Sequence, residues 1–289
     1  MNEPRLIFPT RPSPAENTAA AVIWGMAIVV SAAFVWIVGD VIVNGLRGVS
    51  WSFLTEAPER AGKAGGIFPM IVSTVWILGV AMTVALPLGL GTAVLLAEFT
   101  RRGTWYSAIV VRSLDVLAAV PSVVFGLFGY AVFCVGFGLG YSILAGGLTV
   151  ACMVLPILIR ALETAFRAVP DDYRMAAAAL GMSKTRTILA VLLPSAMPGL
   201  VVGVVLGVGR VLAETAALLF TSGYVERQPE SIFDSGRALS IHIYDLAMNV
   251  PGGEPNAYSS AVVLIVLLLV INGAAVWGAD RWLKKITAR

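Results

Sequence analysis

The sequence is poor in charge. Asp, Glu, Lys and Arg make up 13% of its 289 residues, against roughly 25% in a soluble domain. A folded chain with so few charges does not face water over most of its surface. Histidine is nearly absent, with His242 the single copy, and there are two cysteines, Cys134 and Cys152. One histidine and two cysteines in separate apolar stretches exclude a Cys/His zinc site. They indicate no disulfide framework either, because cysteine in such stretches behaves as a small hydrophobe. A Ser–His–Asp hydrolase would have to pair His242 with Asp245, and no G-x-S-x-G elbow accompanies them. No G-x-x-x-x-G-K-[ST] string occurs. Gly62–Lys63 is followed by Ala64 and lacks the earlier glycine. The chain therefore carries no ATP site of its own, and its formal charge of +3 is too weak to argue for nucleic acid.

Hydrophobic residues make up 58% of the chain. They gather in six stretches, at about 19–39, 69–97, 107–135, 142–159, 194–221 and 259–280. Each has about 18 residues or more, the length that favours a membrane-crossing helix. The expected fold is an all-α membrane protein with six transmembrane helices. The Gly-rich stretch 136–141 makes the third and fourth spans a tight hairpin. Residues 1–18 are polar and hold Pro4, Pro9, Pro12 and Pro14, which reads as a flexible cytoplasmic arm. Arg5 and Arg11 ahead of an apolar run have the look of a signal peptide, but 19–39 is too long for a signal core and suits a span. The remainder, 19–289, reads as one membrane domain.

Basic residues set the orientation. With the N-terminus inside, Arg5, Arg11, Arg101, Arg102, Arg160, Arg167, Arg174, Lys184, Arg186, Arg281, Lys284, Lys285 and Arg289 fall on the cytoplasmic side. Arg47, Arg60, Lys63, Arg227 and Arg237 fall outside. This bias fits the positive-inside rule and puts both termini in the cytoplasm. Two long outer segments, 40–68 and 222–258, are open to short surface helices or loops. His242, in the second, reads as a loop residue.

Two charged pairs stand out within the spans. Arg210 and Glu214 are one helical turn apart and share a face. Arg210 lies about 24 Å along its helix from Pro194, in the outer half of the membrane. A lone arginine there costs on the order of 3 kcal/mol unless it meets a partner or a wet cavity. Its planar guanidinium suits a two-pronged grip on an oxyanion. The competing reading is an ion pair that fixes helix packing. Arg112 and Asp115 lie three apart nearer the cytoplasmic end, where packing or snorkelling competes with gating. Pro87, Pro121 and Pro156 are candidate kinks, with Pro121 a gating or packing residue. Gly203 and Gly207 form a small-xxx-small pair suited to helix packing.

The loop 160–193 between the fourth and fifth spans has clear punctuation. Pro170, Asp171 and Asp172 signal a helix start. Met175 to Leu180 is a strong helix former, Gly181 ends it, and Ser183 caps the next helix. On these signals alone the segment is an interfacial helix. The string Met175–Ala176–Ala177, with Gly181 and then Val191–Leu192–Leu193–Pro194, resembles the EAA loop of bacterial ABC importer permeases. The family's usual glutamate is replaced here by Met175.

Further strings are Gly65–Gly66–Ile67–Phe68–Pro69–Met70–Ile71, then Arg112–Ser113–Leu114–Asp115 through Val120–Pro121–Ser122, and Gly209–Arg210–Val211–Leu212–Ala213–Glu214–Thr215–Ala216. They resemble the PstA-type phosphate permeases within that family. The resemblance covers about 65–285. It implies a type I importer permease (MetI-like) fold in a bacterial inner membrane, surrounded by lipid. It implies a second homologous permease, a dimer of ATPase subunits that uses ATP and Mg, and an external phosphate-binding protein. It makes the loop helix the coupling helix, with Arg174, Met175, Ala176, Ala177 and Gly181 as ATPase contacts, and Arg210 and Glu214 as the phosphate path. The alternatives are an importer for another oxyanion or solute, an ATP-independent channel or ion-coupled carrier, and a structural membrane subunit. The scarcity of acids within spans argues against proton coupling.

Overall fold

The computed structural model describes residues 14–100 and 104–287. Arg5, Arg11, Arg101, Arg102, Arg289 and most of the expected N-terminal arm lie outside the described residues. The first helix begins at Pro14, so the arm's last residues, 14–18, already belong to it.

Helix α1 (Pro14–Gly45) is followed on the outer side by α2 (Trp51–Thr55) and a two-stranded hairpin, β1 (Pro58–Glu59) with β2 (Ala64–Gly65). Then come α3 (Phe68–Val94), α4 (Trp105–Ala119), α5 (Ser122–Gly129) and α6 (Ile143–Arg167). The cytoplasmic α7 (Asp171–Ala179) and α8 (Lys184–Thr187) lead into α9 (Leu193–Leu212). Short α10 (Ala216–Leu219) and α11 (Leu239–Met248) form the second outer segment, and α12 (Glu254–Thr287) closes the chain. Five helical runs are long and apolar enough to cross a membrane, and α4 with α5 makes a sixth if the bent pair counts as one span.

The expected third span is therefore not straight. α4 and α5 meet at 99° across Val120–Pro121. Pro121 has no N–H to continue the ladder of α4 and biases Val120 towards extended backbone, observed at ψ 128°. Val124 and Phe125 amides donate instead to the Pro121 carbonyl, starting the new helix. Pro87 and Pro156, by contrast, lie inside α3 and α6, which run past them.

α6 is the central helix, buried along most of its length from Ile143 to Phe166. α3 and α9 pack against it. Lipid tails are as apolar as leucine, so close backbone approach drives such packing more than hydrophobicity does. A Cβ on Gly203 would stand 3.2 Å from Ala161, and one on Gly199 would stand 2.7 Å from the Ala165 Cβ. Gly203 thus serves packing, as its spacing suggests, with Gly199 the second close contact; a Cβ on Gly207 would meet Leu158 at an ordinary 3.5 Å. The outward faces of α1, α4 and α12 leave Trp24, Trp36, Ile109, Val116 and Leu269 exposed, as suits surfaces that meet lipid or another subunit.

Candidate functional site

The fifth span ends sooner than its apolar pattern suggests. α9 stops at Leu212, and Glu214 stands in the short break before α10. Arg210 and Glu214 still meet, with Nη1 and Oε2 3.4 Å apart. Glu214 is almost wholly buried. Its Oε1 accepts the Ala217 amide at 3.0 Å, capping α10, and its carbonyl accepts the Ser240 hydroxyl at 2.6 Å. The carboxylate is thus held from below by the backbone. Arg210 is not so held. Its side chain is 40% exposed, and its only other hydrogen-bonding partner among the described residues is the Met153 sulfur, 3.7 Å from Nη2. A guanidinium has five N–H donors in a fixed fork, so most of those on Arg210 remain available. A membrane-embedded arginine with spare donors is suited to meet an anion.

The expected Arg112–Asp115 pair does not form. Asp115 is held by Arg160 at 2.5 Å, and Arg160 also approaches Glu163 at 3.7 Å. Arg112 is exposed and makes no ion pair among the described residues. A helix of period 3.6 puts residues three apart on one face, but α6 lies beside α4 and offers Asp115 a closer cation.

The loop helix is built as its punctuation suggests. Pro170 precedes α7, and Asp171 and Asp172 occupy its first turn. Gly181 ends it at φ +69°, with its amide on Ala178 and the Met182 amide on Ala177. This is the paired closure in which a left-handed glycine satisfies the last carbonyls. Ser183 accepts the Arg186 amide at 3.3 Å and so caps α8. Tyr173, Met175 and Leu180 project from the surface, and Ala176 and Gly181 are exposed beside them. Ala177 and Arg174 face inward. Arg174 grips Glu98 through Nη2–Oε1 at 2.6 Å and Nε–Oε2 at 3.2 Å. It donates also to the Phe166 carbonyl (3.0 Å), the Val169 carbonyl (2.8 Å) and Asp171 (3.1 Å). Its guanidinium is turned into the chain and is not free for a docking partner.

The family of binding-protein-dependent transport system inner membrane components matches residues 85–282. The chain belongs to this family. The permease is 36% identical to "Phosphate transport system permease protein PstA 1" of Mycobacterium tuberculosis, over 83% of this chain and 81% of that one. It is 34% identical to "Probable ABC transporter permease protein YqgI" of Bacillus subtilis, over 91% and 94%. Among solved structures, a bacterial ABC transporter involved in import of the acidic polysaccharide alginate matches 91% of this chain and 96% of its own at a TM-score of 0.59 and 14% identity. The MetNI methionine transporter matches 76% and 94% at a TM-score of 0.53. These two show the type I importer permease fold. Family membership implies an inner-membrane permease, with no ATPase site of its own, that works with an ATPase and a solute-binding protein.

Glu98, Glu163 and Arg237 were not singled out from the sequence. Glu98 ends the second apolar stretch, and Glu163 lies beyond the apolar limit of the fourth, since α6 continues to Arg167. Arg237 belongs to an outer module. α11 is not a loop, and His242 within it is wholly buried. Arg237 is 6% exposed. It pairs with Glu226 at 2.8 Å and Asp245 at 3.3 Å, and its Nη1 lies 3.4 Å from His242 Nδ1. Burial, then the Arg237 charge, pushes the His242 pKa down to about 4. The hairpin turn leans on the same ring. Arg60, Ala61 and Gly62 all have positive φ, and a Cβ on Gly62 would come 2.7 Å from His242 Cε1.

Proposed function

We propose that this permease is the PstA-type subunit of an ATP-driven importer of inorganic phosphate, and that Arg210 meets the anion in transit. The observation that carries the reading is the state of Arg210: within a span, half-exposed, with one 3.4 Å carboxylate partner and most donors unused. Phosphate oxygens fit such a fork two at a time. Glu214 is held by the Ala217 amide, so it stays in place as the anion arrives and gives the guanidinium a partner to return to after release. The phosphate permease relatives support the cargo.

A second homologous permease completes the path, and the exposed apolar faces of α4, α5 and α9 are the surfaces open to it. The exposed side of α7, at Met175, Ala176 and Gly181, docks on the ATPase dimer, which binds and hydrolyses ATP with Mg. Ala177 supports that contact from beneath, and Met175 in place of glutamate makes it apolar. An external phosphate-binding protein delivers the anion to the outer segments.

The test is energy-dependent uptake of labelled phosphate at limiting concentration, in cells lacking this gene, with and without it restored. Restored uptake that arsenate competes with, and sulfate and molybdate do not, is the expected result. Unchanged phosphate uptake in cells with no second phosphate system would remove the cargo and leave a permease for another solute.

A further inference from the structure

α7 is nine residues long and sits between two joints. Before it, Pro170 is extended at ψ 144°; after it, Gly181 is left-handed. Its backbone packs chiefly on its own continuation, α8 and the π-helical turn Ile188–Leu192. A short helix between two such joints would pivot when pushed, and the push would be lost in the joints. Resting on the reading of α7 as the helix that meets the ATPase, we infer that the Arg174–Glu98 fork is the positioning element that makes α7 move as one body with α3 and α6.

The geometry is that of a bolt through three elements. Glu98 stands in the π-helical turn Leu95–Phe99 that continues α3. Arg174 comes from the middle of α7. The Phe166 and Val169 carbonyls that Arg174 also binds are at and just beyond the end of α6. The Glu98 side chain is 6% exposed and that of Arg174 24% exposed, so the pair is shielded from salt and water. Among the described residues, every hydrogen bond to the Glu98 carboxylate comes from Arg174. The hydrogen bonds that Arg174 donates to Glu98 are the main cause that holds its pKa above the ordinary value.

A second arginine ties α3 to α6 without involving α7. Arg167 donates to the Leu96 carbonyl at 2.8 Å and to Glu163 at 2.8 Å. Loss of Arg174 would thus detach α7 while leaving the α3–α6 contact in place. The consequence is a division of labour on one short helix. Met175, Ala176 and Leu180 face out towards a partner, and Arg174 passes the displacement inward. Lysine cannot replace it fully, because one ammonium cannot span both Glu98 oxygens and two carbonyls.

The test uses the assembled transporter, reconstituted with its ATPase and binding protein, carrying R174A, R174K or E98Q. Co-purification and ATP hydrolysis should stay within about two-fold of the unaltered complex, and transport per ATP should fall by about tenfold or more in R174A and E98Q, with R174K between. Unchanged transport per ATP would overturn the inference, and so would loss of assembly in all three variants. A second reading does not depend on the cargo. With Cys134 and Cys152 replaced by alanine, a cysteine is introduced by Leu88→Cys, at an exposed position of α3. Its labelling rate should change with ATP in the otherwise unaltered complex and stay constant when R174A is added. An ATP response that survives R174A, or none in either complex, overturns the inference. Failure of the phosphate reading shows separately, as absent phosphate transport in the unaltered complex.

Discussion

Arg174 and Arg210 are the same residue type in two opposite conditions. At the cytoplasmic junction, Arg174 is saturated: a bidentate carboxylate, a second carboxylate and two backbone carbonyls take up its donors. At the outer end of α9, Arg210 has one carboxylate at 3.4 Å and a thioether. A saturated guanidinium is a structural fastener, since any new ligand would have to displace existing bonds of about 1.5–3 kcal/mol each. An unsaturated one within a span is poised for a ligand. The side-chain chemistry is identical, and the surrounding acceptors decide the role.

The sharpest way to break that contrast is at Arg210. Arg210→Ala should lower phosphate uptake by about a hundredfold, the equivalent of roughly 3 kcal/mol in charge-assisted hydrogen bonds. The complex should still assemble, because Glu214 keeps its Ala217 partner. Arg210→Lys should recover part of the rate. If uptake and co-purification fall together, Arg210 and Glu214 form an ion pair that fixes helix packing and do not meet the anion.

Glu214→Gln should have a smaller and more informative effect. The amide can still accept the Ala217 N–H, but it no longer draws the guanidinium electrostatically. The anion should then be held longer, so KM for phosphate should drop and the maximal rate should fall by about tenfold. A rise in KM instead would mean that Glu214 orients Arg210 for binding and does not compete with the anion.

The outer module offers a contrast in pH. His242 titrates near 6.5 when unfolded and at about 4 in place, so the folded state favours the neutral ring. Stability from this group is complete above about pH 6.5 and is lost as pH falls towards 4, by at most about 3 kcal/mol. The groups facing the ring are Arg237, Asp245 and the Gly62 turn. Protection of the α11 amides, taken as exchange relative to the intrinsic rate at each pH, should fall across that window, and His242→Gln should flatten the response. Protection factors that stay constant from pH 7 to 4 would show that the ring is not buried neutral.

Legibility in the sequence follows the range of the forces involved. The number and order of spans were readable because apolar length is a local property set by the bilayer. The start and stop of α7 were readable because Pro170, Asp171, Gly181 and Ser183 act on their nearest neighbours. The break at Pro121 was only half readable. Proline marks a potential kink, but Pro87 and Pro156 carry the same mark inside continuous helices. The partners of the arginines were the least readable. Arg174 meets Glu98 across 76 positions and Arg160 meets Asp115 across 45, so helix-face rules gave the wrong mate for Asp115. The same rules succeeded for Arg210 and Glu214, even though α9 ends between them.

The smallest effect should come from Asp115. Its bond to Arg160 is short at 2.5 Å, but the two side chains are 62% and 37% exposed. Arg160 also has Glu163 at 3.7 Å and the Val111 carbonyl at 3.3 Å as alternative partners. Exposed pairs contribute about 0–1 kcal/mol, because water and salt compete for both ends. Asp115→Asn should therefore change stability by less than about 1 kcal/mol and leave uptake within about two-fold of normal. A larger loss of uptake with normal assembly would move Asp115, and Arg112 beside it, from the packing of α4 against α6 to a gating role beside the 99° bend at Pro121.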